Sequence, residues 1–381
     1  MGIYYYTDVK SLELVWDEDK LDKSHPRFEF LDQITEKEFY KLGAQRGAFF
    51  WVSQSKIKTW RRCHRSYYYK YVLGYRKRIK GRALYMGSMV HECIELHLKG
   101  KAWRGPLKKA QAEIDKMFVE ERVDLEGVVE DSYQMVRGYI KRYKNDGYKA
   151  THVELKIRTP LVDNIILEGK VDALVDEIEK HLRWQMEHKT CAFIPDEKNR
   201  MGDIQTVIYN WAIERMGMKA PIGVIWDYLV KKVPRVPELL ANGKGLSKNK
   251  SISTTQEVYA QAIIDNDLDP EDYVEILESL EGKEDDFHRR IKMPTAKVTI
   301  DSVVDDFVSS ALQMRELGPI ATDRNQTRDC SWCDEYDLCQ ADLRGGDTEG
   351  IIKRKFTTRE QRNEEKSKKR KKITRKSKAK K

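Results

Sequence analysis

From Val153 to Val175 hydrophobic and polar positions alternate, and β-branched residues dominate the apolar ones. That period of two belongs to half-buried strands. It predicts two strands, about Val153–Arg158 and Ile165–Val175, with a turn near Pro160–Asn164. Asp163-Asn164 supplies the turn chemistry. Leu182–His188 reads as a third strand. Ile222–Val230 reads as a further one, because Ile222, Val224, Trp226, Tyr228 and Val230 alternate with smaller or polar residues. Helical patterns cover Leu84–Leu98, Pro106–Glu121, Ser132–Asn145, Glu271–Leu280 and Val298–Gln313, and another helix opens at Gly202-Asp203-Ile204-Gln205 and runs on to Tyr209. Strands and helices interleaved in this way predict an α/β fold, a central mixed sheet with helices on both faces covering the apolar strands. Lys231–Ser253 reads as a loop-like insertion, and no internal repeat is visible.

On the third strand Glu187 and Lys189 stand two apart, so they share one face of the sheet. Asp172 arrives from the preceding strand, within Glu168-Gly169-Lys170-Val171-Asp172. Two neighbouring carboxylates repel, and one pKa rises. A hard cation removes that cost, and oxygen ligands suit Mg²⁺ or Mn²⁺. Such a metal lowers the pKa of a bound water and stabilises charge developing on a phosphate. Lys189 adds a positive charge that is no ligand while protonated. These are the parts needed to cut a phosphodiester bond. An isolated E-x-K on a strand also reads as a surface ion pair, so the assignment needs further motifs.

Two are present. Gly87-Ser88-Met89-Val90-His91, continuing to Glu92 and Glu95, lies on the Leu84–Leu98 helix; Gln205 and Tyr209 lie on the later one. The ordered set G-x-x-x-H, G-x-x-D, E-x-K, Q-x-x-x-Y resembles the PD-(D/E)XK nuclease superfamily, specifically its RecB-like branch, over roughly Ser53 to Cys339. The resemblance implies a restriction-endonuclease-like core with the site at one edge of the sheet. It implies His91, Asp172 and Glu187 as metal ligands, with the backbone carbonyl of His188 as another, and Lys189 as the catalytic lysine. Gln205 and Tyr209 would support the site or touch DNA. Gly87 would allow close helix packing near the metal. The chain has no proline before Asp172, which is common in that branch. Imidazole suits Mn²⁺ better than Mg²⁺, so His91 as a ligand implies that manganese is accepted or favoured. A histidine on an amphipathic helix also reads as a partly buried polar residue.

The six cysteines are Cys63, Cys93, Cys191, Cys330, Cys333 and Cys339. The start, MGIYYYTDVKSLELVW, lacks a basic region followed by an apolar core, so no signal peptide is expected and a structural disulfide set is not expected either. Cys330-x-x-Cys333, then Cys339, cluster around Trp332; a fourth ligand must come from elsewhere, and Cys63 is the candidate. One cysteine before the histidine motif and C-x2-C-x5-C after the core resembles iron–sulfur nucleases of the AddB and CRISPR-adaptation type. The resemblance implies a [4Fe–4S] cluster on Cys63, Cys330, Cys333 and Cys339, stapling the C-terminal end of the domain onto its N-terminal helix. Zn²⁺ is the alternative for four thiolates. Cys93 and Cys191 receive no role.

The chain has 381 residues, 40% of them hydrophobic, enough for a sizeable core. The layout expected is an extension over 1–50, a nuclease domain over 51–345 with an insertion at about 231–300 and an iron–sulfur closure at 330–339, and a basic tail over 346–381. No apolar run of about 18 residues is present, so no membrane span is expected. The formal net charge is +9, but residues 366–381 hold eleven Lys or Arg and no acid. Without them 60 basic residues face 62 acidic ones, so the tail carries the basicity. This tail, which includes Lys369 and Arg370, should be disordered and should attract phosphates in a salt-dependent way. A solubility tail or a nuclear-type address fits the same composition. Within the fold, Lys56 to Arg82 interleaves cations with Trp60 and five tyrosines. The spacing of Trp60, Tyr67, Tyr68 and Tyr71 fits a buried helical stripe, so most of these rings read as core. The loop of Arg76, Lys77, Arg78, Lys80 and Arg82 is the better candidate for a strand contact. Gly243-Lys244-Gly245 lacks the phosphate-loop form, so no helicase motor is expected in this chain.

The family resemblance implies a metal-dependent DNA exonuclease acting on ends or single strands in replication, recombination or repair. It would work in a bacterial cytoplasm, or a host's if phage-encoded, with a helicase or recombination protein as a possible partner in trans. The rivals are a structure-specific endonuclease and a non-catalytic DNA-binding subunit of a recombination complex.

Overall fold

The structure, a computed structural model, describes residues 4–8, 14–17, 28–30 and 47, residues 49–358 except 80, 201, 242 and 244, and residues 361, 362 and 364. Strands β1 (Tyr4–Asp8), β2 (Leu14–Asp17) and β3 (Phe28–Phe30) form a small antiparallel sheet in the order β2-β1-β3. β4 (Phe50–Val52) opens the main sheet. The short β5 (Arg76–Lys77) stands apart from it. The main sheet continues with β6 (Tyr148–Val162), β7 (Ile165–Glu177), β8 (Leu182–Cys191), β9 (Gly223–Val230) and β10 (His288–Pro294), in the order β10-β9-β8-β7-β4 with β6 also on β7. It is mixed: β4 runs parallel to β7 and β8 parallel to β9, while β6–β7, β7–β8 and β9–β10 are antiparallel.

Helices cover both faces. α1 (Gln54–Arg62), α5 (Ile204–Arg215) and α8 (Lys297–Leu317) pack on one, where Ile57, Ile208 and Phe307 meet Leu167 and Leu174. α2 (Arg82–Leu98), α3 (Gly105–Ile114) and α4 (Val128–Arg142) share a core with Leu229 on the other. Ala173 and Val175 turn to a different cluster from Leu174, the alternation a strand imposes. The fold is therefore α/β with a restriction-endonuclease-like layout, as the patterning implies. The β6–β7 turn is held by Asp163 in the left-handed region, φ 46°, which Asp tolerates better than most residues.

One feature of the sheet places the site. β7 pairs with β4 only over Ile165–Leu167 and with β8 only over Ala173–Glu177. Between these stretches, at 168–172, that side of β7 has no ladder partner among the described residues, while β8 stays paired with β9 out to Cys191. The two central strands thus fork at Asp172. The expectation of a site at one edge of the sheet is corrected by this topology: the fork lies between central strands.

Several elements differ from the pattern-based expectation. β6, at 15 residues, is more than twice as long as the apolar pattern suggests, because its ladder with β7 runs on past that pattern. Pro106–Glu121 is broken: α3 ends at Ile114, and Phe118 and Val119 beyond it are exposed. The segment expected as an insertion divides. Residues 231–287 carry α6 (Gln256–Asp265), α7 (Val274–Ser279) and a small core of their own around Tyr259 and Ile276, whereas β10 returns to the main sheet beside β9. Its sequence HRRIKMP hid it, since charges occupy its half-buried face. After α9 (Tyr336–Leu343), residues 348–355 are helical and β11 (Phe356–Thr357) pairs with β5, so the stretch expected as tail begins ordered. Residues 366–381 lie outside the described ones. No helix among the described residues is long and apolar enough to cross a membrane.

Candidate active site

The fork gathers the motifs. Asp172 Oδ2 accepts the backbone N–H of His188 at 3.0 Å. It also stands 3.6 Å from Nδ1 of His91, which α2 brings across from the neighbouring layer. Gly87 is what lets α2 close on β8: a Cβ there would lie 3.1 Å from Thr190 Oγ1. Glu187 is only 2% exposed. Its Oε1 receives Lys189 Nζ at 2.7 Å and Gln205 Nε2 at 2.5 Å, and Lys189 also reaches Gln205 Oε1 at 3.3 Å. Gln205 is held in the first turn of α5, whose N-terminus Asp203 caps by accepting the Gln205 N–H at 2.9 Å. Tyr209, one turn on, is buried over Gly169, where any Cβ would run into its ring and hydroxyl. His91, Asp172 and Lys189 line a cleft of about 790 Å³, with Glu154 and Lys170 on its wall.

Burial first, then the charge of Asp172, pushes the Glu187 carboxyl up to about 7. Burial pulls the His91 imidazole down to about 4, against the attraction of Asp172. A neutral imidazole keeps a lone pair free, as a ligand requires. Glu187 Oε2 is buried with no hydrogen-bond partner in the protein. A carboxylate left so is costly, and a divalent cation is the natural remedy. Among the described residues no three His, Cys, Asp or Glu side chains form a group that would hold a metal ion as they stand. The donor set of Asp172, Glu187 and His91 still suits Mn²⁺ or Mg²⁺ in kind.

Behind the fork lies a network that the sequence did not disclose. The His188 side chain turns away from Glu187, and its Nδ1 meets Asp227 Oδ2 at 3.0 Å. Tyr139 donates to the same oxygen at 2.7 Å, and Arg290 Nε lies 3.3 Å from Asp227 Oδ1. Burial opposes charge on Asp227, yet Arg290 first, then His188 and Tyr139, hold its carboxyl down at about 2. The available signal was a lone acid in the wholly buried strand GVIWDYLV.

Cys63, Cys330, Cys333 and Cys339 line one pocket together with Arg62, Arg65 and Arg324. Burial raises the Cys333 thiol to about 11. Cys93 is fully buried and Cys191 half-buried, both away from this pocket. The proposed strand-contact loop is largely committed to the protein: Arg76 donates to Tyr75 O at 2.8 Å, Lys77 pairs with Asp334 at 3.1 Å and Arg82 with Asp131 at 2.6 Å. Arg78 is exposed. Lys80, Lys369 and Arg370 lie outside the described residues. Trp60, Tyr67 and Tyr69 are buried.

No curated protein matches the chain. Among solved structures it is similar to one described as "Crystal structure of SSO0001", at 11% identity and a TM-score of 0.29, over 81% of this chain and 98% of that one. The family model of the PD-(D/E)XK nuclease superfamily matches residues 51–340, which take in the fork, its flanking helices and the cysteine pocket. The chain belongs to the PD-(D/E)XK nuclease superfamily.

Proposed function

We propose that this nuclease is a divalent-metal-dependent deoxyribonuclease of the RecB-like branch, acting as an exonuclease on DNA ends or single strands. The observation that carries the reading is the buried Glu187, one oxygen held by Lys189 and Gln205 and the other without a partner, beside Asp172 and His91. Asp172, Glu187 and His91 would hold the cation, with the His188 carbonyl as a further donor. When bound, the cation supplies an activated water and a counter-charge for the phosphate. Lys189 keeps its ammonium at the fork by hydrogen bonds to Glu187 and Gln205, where it donates to a phosphate oxygen as charge builds. Gln205 orients both Glu187 and Lys189, and Tyr209 packs over Gly169 on β7.

The cysteine pocket is read as a [4Fe–4S] site, with Zn²⁺ as the alternative. Its support is four thiols in one pocket with three arginines, whose charge complements thiolates. The cluster would tie the start of the domain to the segment after α8. A helicase or recombination protein would act in trans, and the basic tail would tether DNA.

The test is anaerobically purified protein with end-labelled single- and double-stranded DNA, with Mn²⁺ or Mg²⁺, beside Glu187→Ala. Metal-dependent release of nucleotides by the wild type alone is expected. Binding without cleavage by both proteins would overturn the enzyme reading. Cleavage of a closed single-stranded circle would replace the exonuclease by an endonuclease.

A further inference from the structure

We propose that Trp332 is a stacking platform for an unpaired DNA strand, and that a basic groove leads that strand from Trp332 to the fork. The proposal rests on the nuclease reading above and adds where the substrate lies and why it is single-stranded.

Trp332 is 86% exposed, whereas Trp60, Trp184 and Trp226 are 3%, 4% and 0% exposed. An indole carries a large apolar surface that folding normally buries. Here it is presented on a short helical turn, Arg328–Trp332, and not on a loose loop. Thr327 caps that turn by accepting the Asp329 N–H at 3.3 Å, and Ser331 Oγ donates to Arg328 O at 2.8 Å. Cys330 and Cys333, on either side of Trp332 in sequence, line the cysteine pocket, and Trp332 does not.

The surface beside Trp332 is shared with Arg328, Asp329 and Ser331. It shares Arg328 and Asp329 with a neighbouring groove of about 690 Å³ that Lys58, Arg61, Arg62 and Ile204 also line. Ile204 immediately precedes Gln205, and Lys58 reaches Asp203 at 3.2 Å. Ile204 brings the groove to the first turn of α5, where the next residue, Gln205, touches Glu187 and Lys189. Four cations, Lys58, Arg61, Arg62 and Arg328, face two acids along this path, Asp203 and Asp329. Lys58 is paired with Asp203, Arg61 donates to Ser310 Oγ at 2.8 Å and Arg62 to Ser66 Oγ at 3.3 Å. The Arg328 guanidinium makes no hydrogen bond or ion pair among the described residues.

A positive track with an aromatic face at its entrance is what an unpaired strand requires: cations follow the phosphates and the ring takes a base. A duplex hides its base faces inside the stack, so an exposed indole gives it little. The charge also argues for phosphate over a protein partner.

The test is binding of a fluorescent oligonucleotide, single-stranded and as duplex, to the full chain in EDTA, for wild type, Trp332→Ala, Trp332→Phe and Arg328→Ala. Thermal unfolding of each variant checks the fold. Trp332→Ala should weaken single-strand binding on the order of tenfold and leave duplex binding within about twofold. Trp332→Phe should retain most of the single-strand affinity, and Arg328→Ala should weaken it and reduce its salt dependence. Unchanged single-strand binding by Trp332→Ala overturns the proposal and leaves the indole facing a protein. Equal losses on both DNAs, or Phe failing as badly as Ala, overturn it as well. Wild-type cleavage in Mn²⁺, measured in parallel, separates the two claims. Cleavage with an inert Trp332→Ala sinks only the platform, while a wild type that neither binds nor cleaves DNA sinks the nuclease reading with it.

Discussion

His188 Nδ1 lies 3.0 Å from Asp227 Oδ2, and both side chains are buried to within a few per cent. The neighbours of His188 along β8, Glu187 and Lys189, point into the fork, so this pair anchors from behind the strand that carries them. Asp227 also neutralises Arg290. Asp227→Ala leaves the buried His188 imidazole without its counter-charge and the Arg290 guanidinium with Asp146 alone. Breaking one side of such a pair costs about 3–5 kcal/mol. Tyr139→Phe removes two hydrogen bonds from the same cluster, the one donated to Asp227 and the one accepted from Arg290, and should cost about 1–3 kcal/mol. Urea unfolding of both variants checks the ranking, and a loss for Asp227→Ala no larger than for Tyr139→Phe would show that the network is not held by charge.

Gly169 and Tyr209 make a second pair. A Cβ on residue 169 would collide with the Tyr209 ring and hydroxyl. The backbone of Gly169 is not in the left-handed region among the described glycines, so the demand is steric. Gly169→Ala should cost about 1–3 kcal/mol through overpacking and slow cleavage by shifting β7 beside Asp172. Tyr209→Leu is expected to recover part of that stability when combined with Gly169→Ala. A double-mutant cycle on thermal stability reads the coupling, and additive losses would count against the contact.

The sequence showed the site more fully than the sheet around it. Glu187 and Lys189 stand two apart on one strand, so the strand period puts them on one face, while Asp172 and Gln205, on other elements, were joined to them by the order of the motifs. Their convergence, however, depends on where β7 and β8 stop pairing, and no local pattern marks a missing ladder. β10 escaped because Arg289, Arg290 and Lys292 interrupt its apolar residues, and Arg290 earns its place only through Asp227 on a strand sixty residues earlier. Trp332 read as part of a cysteine cluster, since its exposure is a property of the folded surface.

Acid titration should pick out Glu177 at the far end of β7. Burial works against its charge, but hydrogen bonds from Lys292, Lys180 and Trp184 outweigh that and hold its carboxyl at about 2, below the ordinary 4.5. The unfolded chain therefore binds the proton more readily than the folded one between those values. The stability contributed is full above about 4.5 and is lost as pH falls toward 2. The stability gap between wild type and Glu177→Gln should be widest near neutrality and shrink over that window. A gap that stays constant from pH 7 to pH 2 would mean that the ion pairs of Glu177 contribute nothing.

Metal binding should be visible without any substrate. If Asp172, Glu187 and His91 hold a cation only when folded, Mn²⁺ raises stability by about 2.7 kcal/mol at a hundred times its dissociation constant. EDTA should reverse the gain, and Glu187→Ala should abolish it, because the variant removes the carboxylate whose Oε2 has no protein partner. His91 sets the choice of metal. Imidazole favours Mn²⁺ over Mg²⁺, so His91→Ala should narrow the difference between the two ions in both thermal stabilisation and cleavage rate. Two readouts are needed because a shift in rate alone could arise from a displaced α2, which Gly87 packs against Thr190. Mg²⁺-supported cleavage that survives His91→Ala unchanged, with Mn²⁺ stabilisation also unchanged, would remove His91 from the metal site and leave Asp172 and Glu187 to hold the ion.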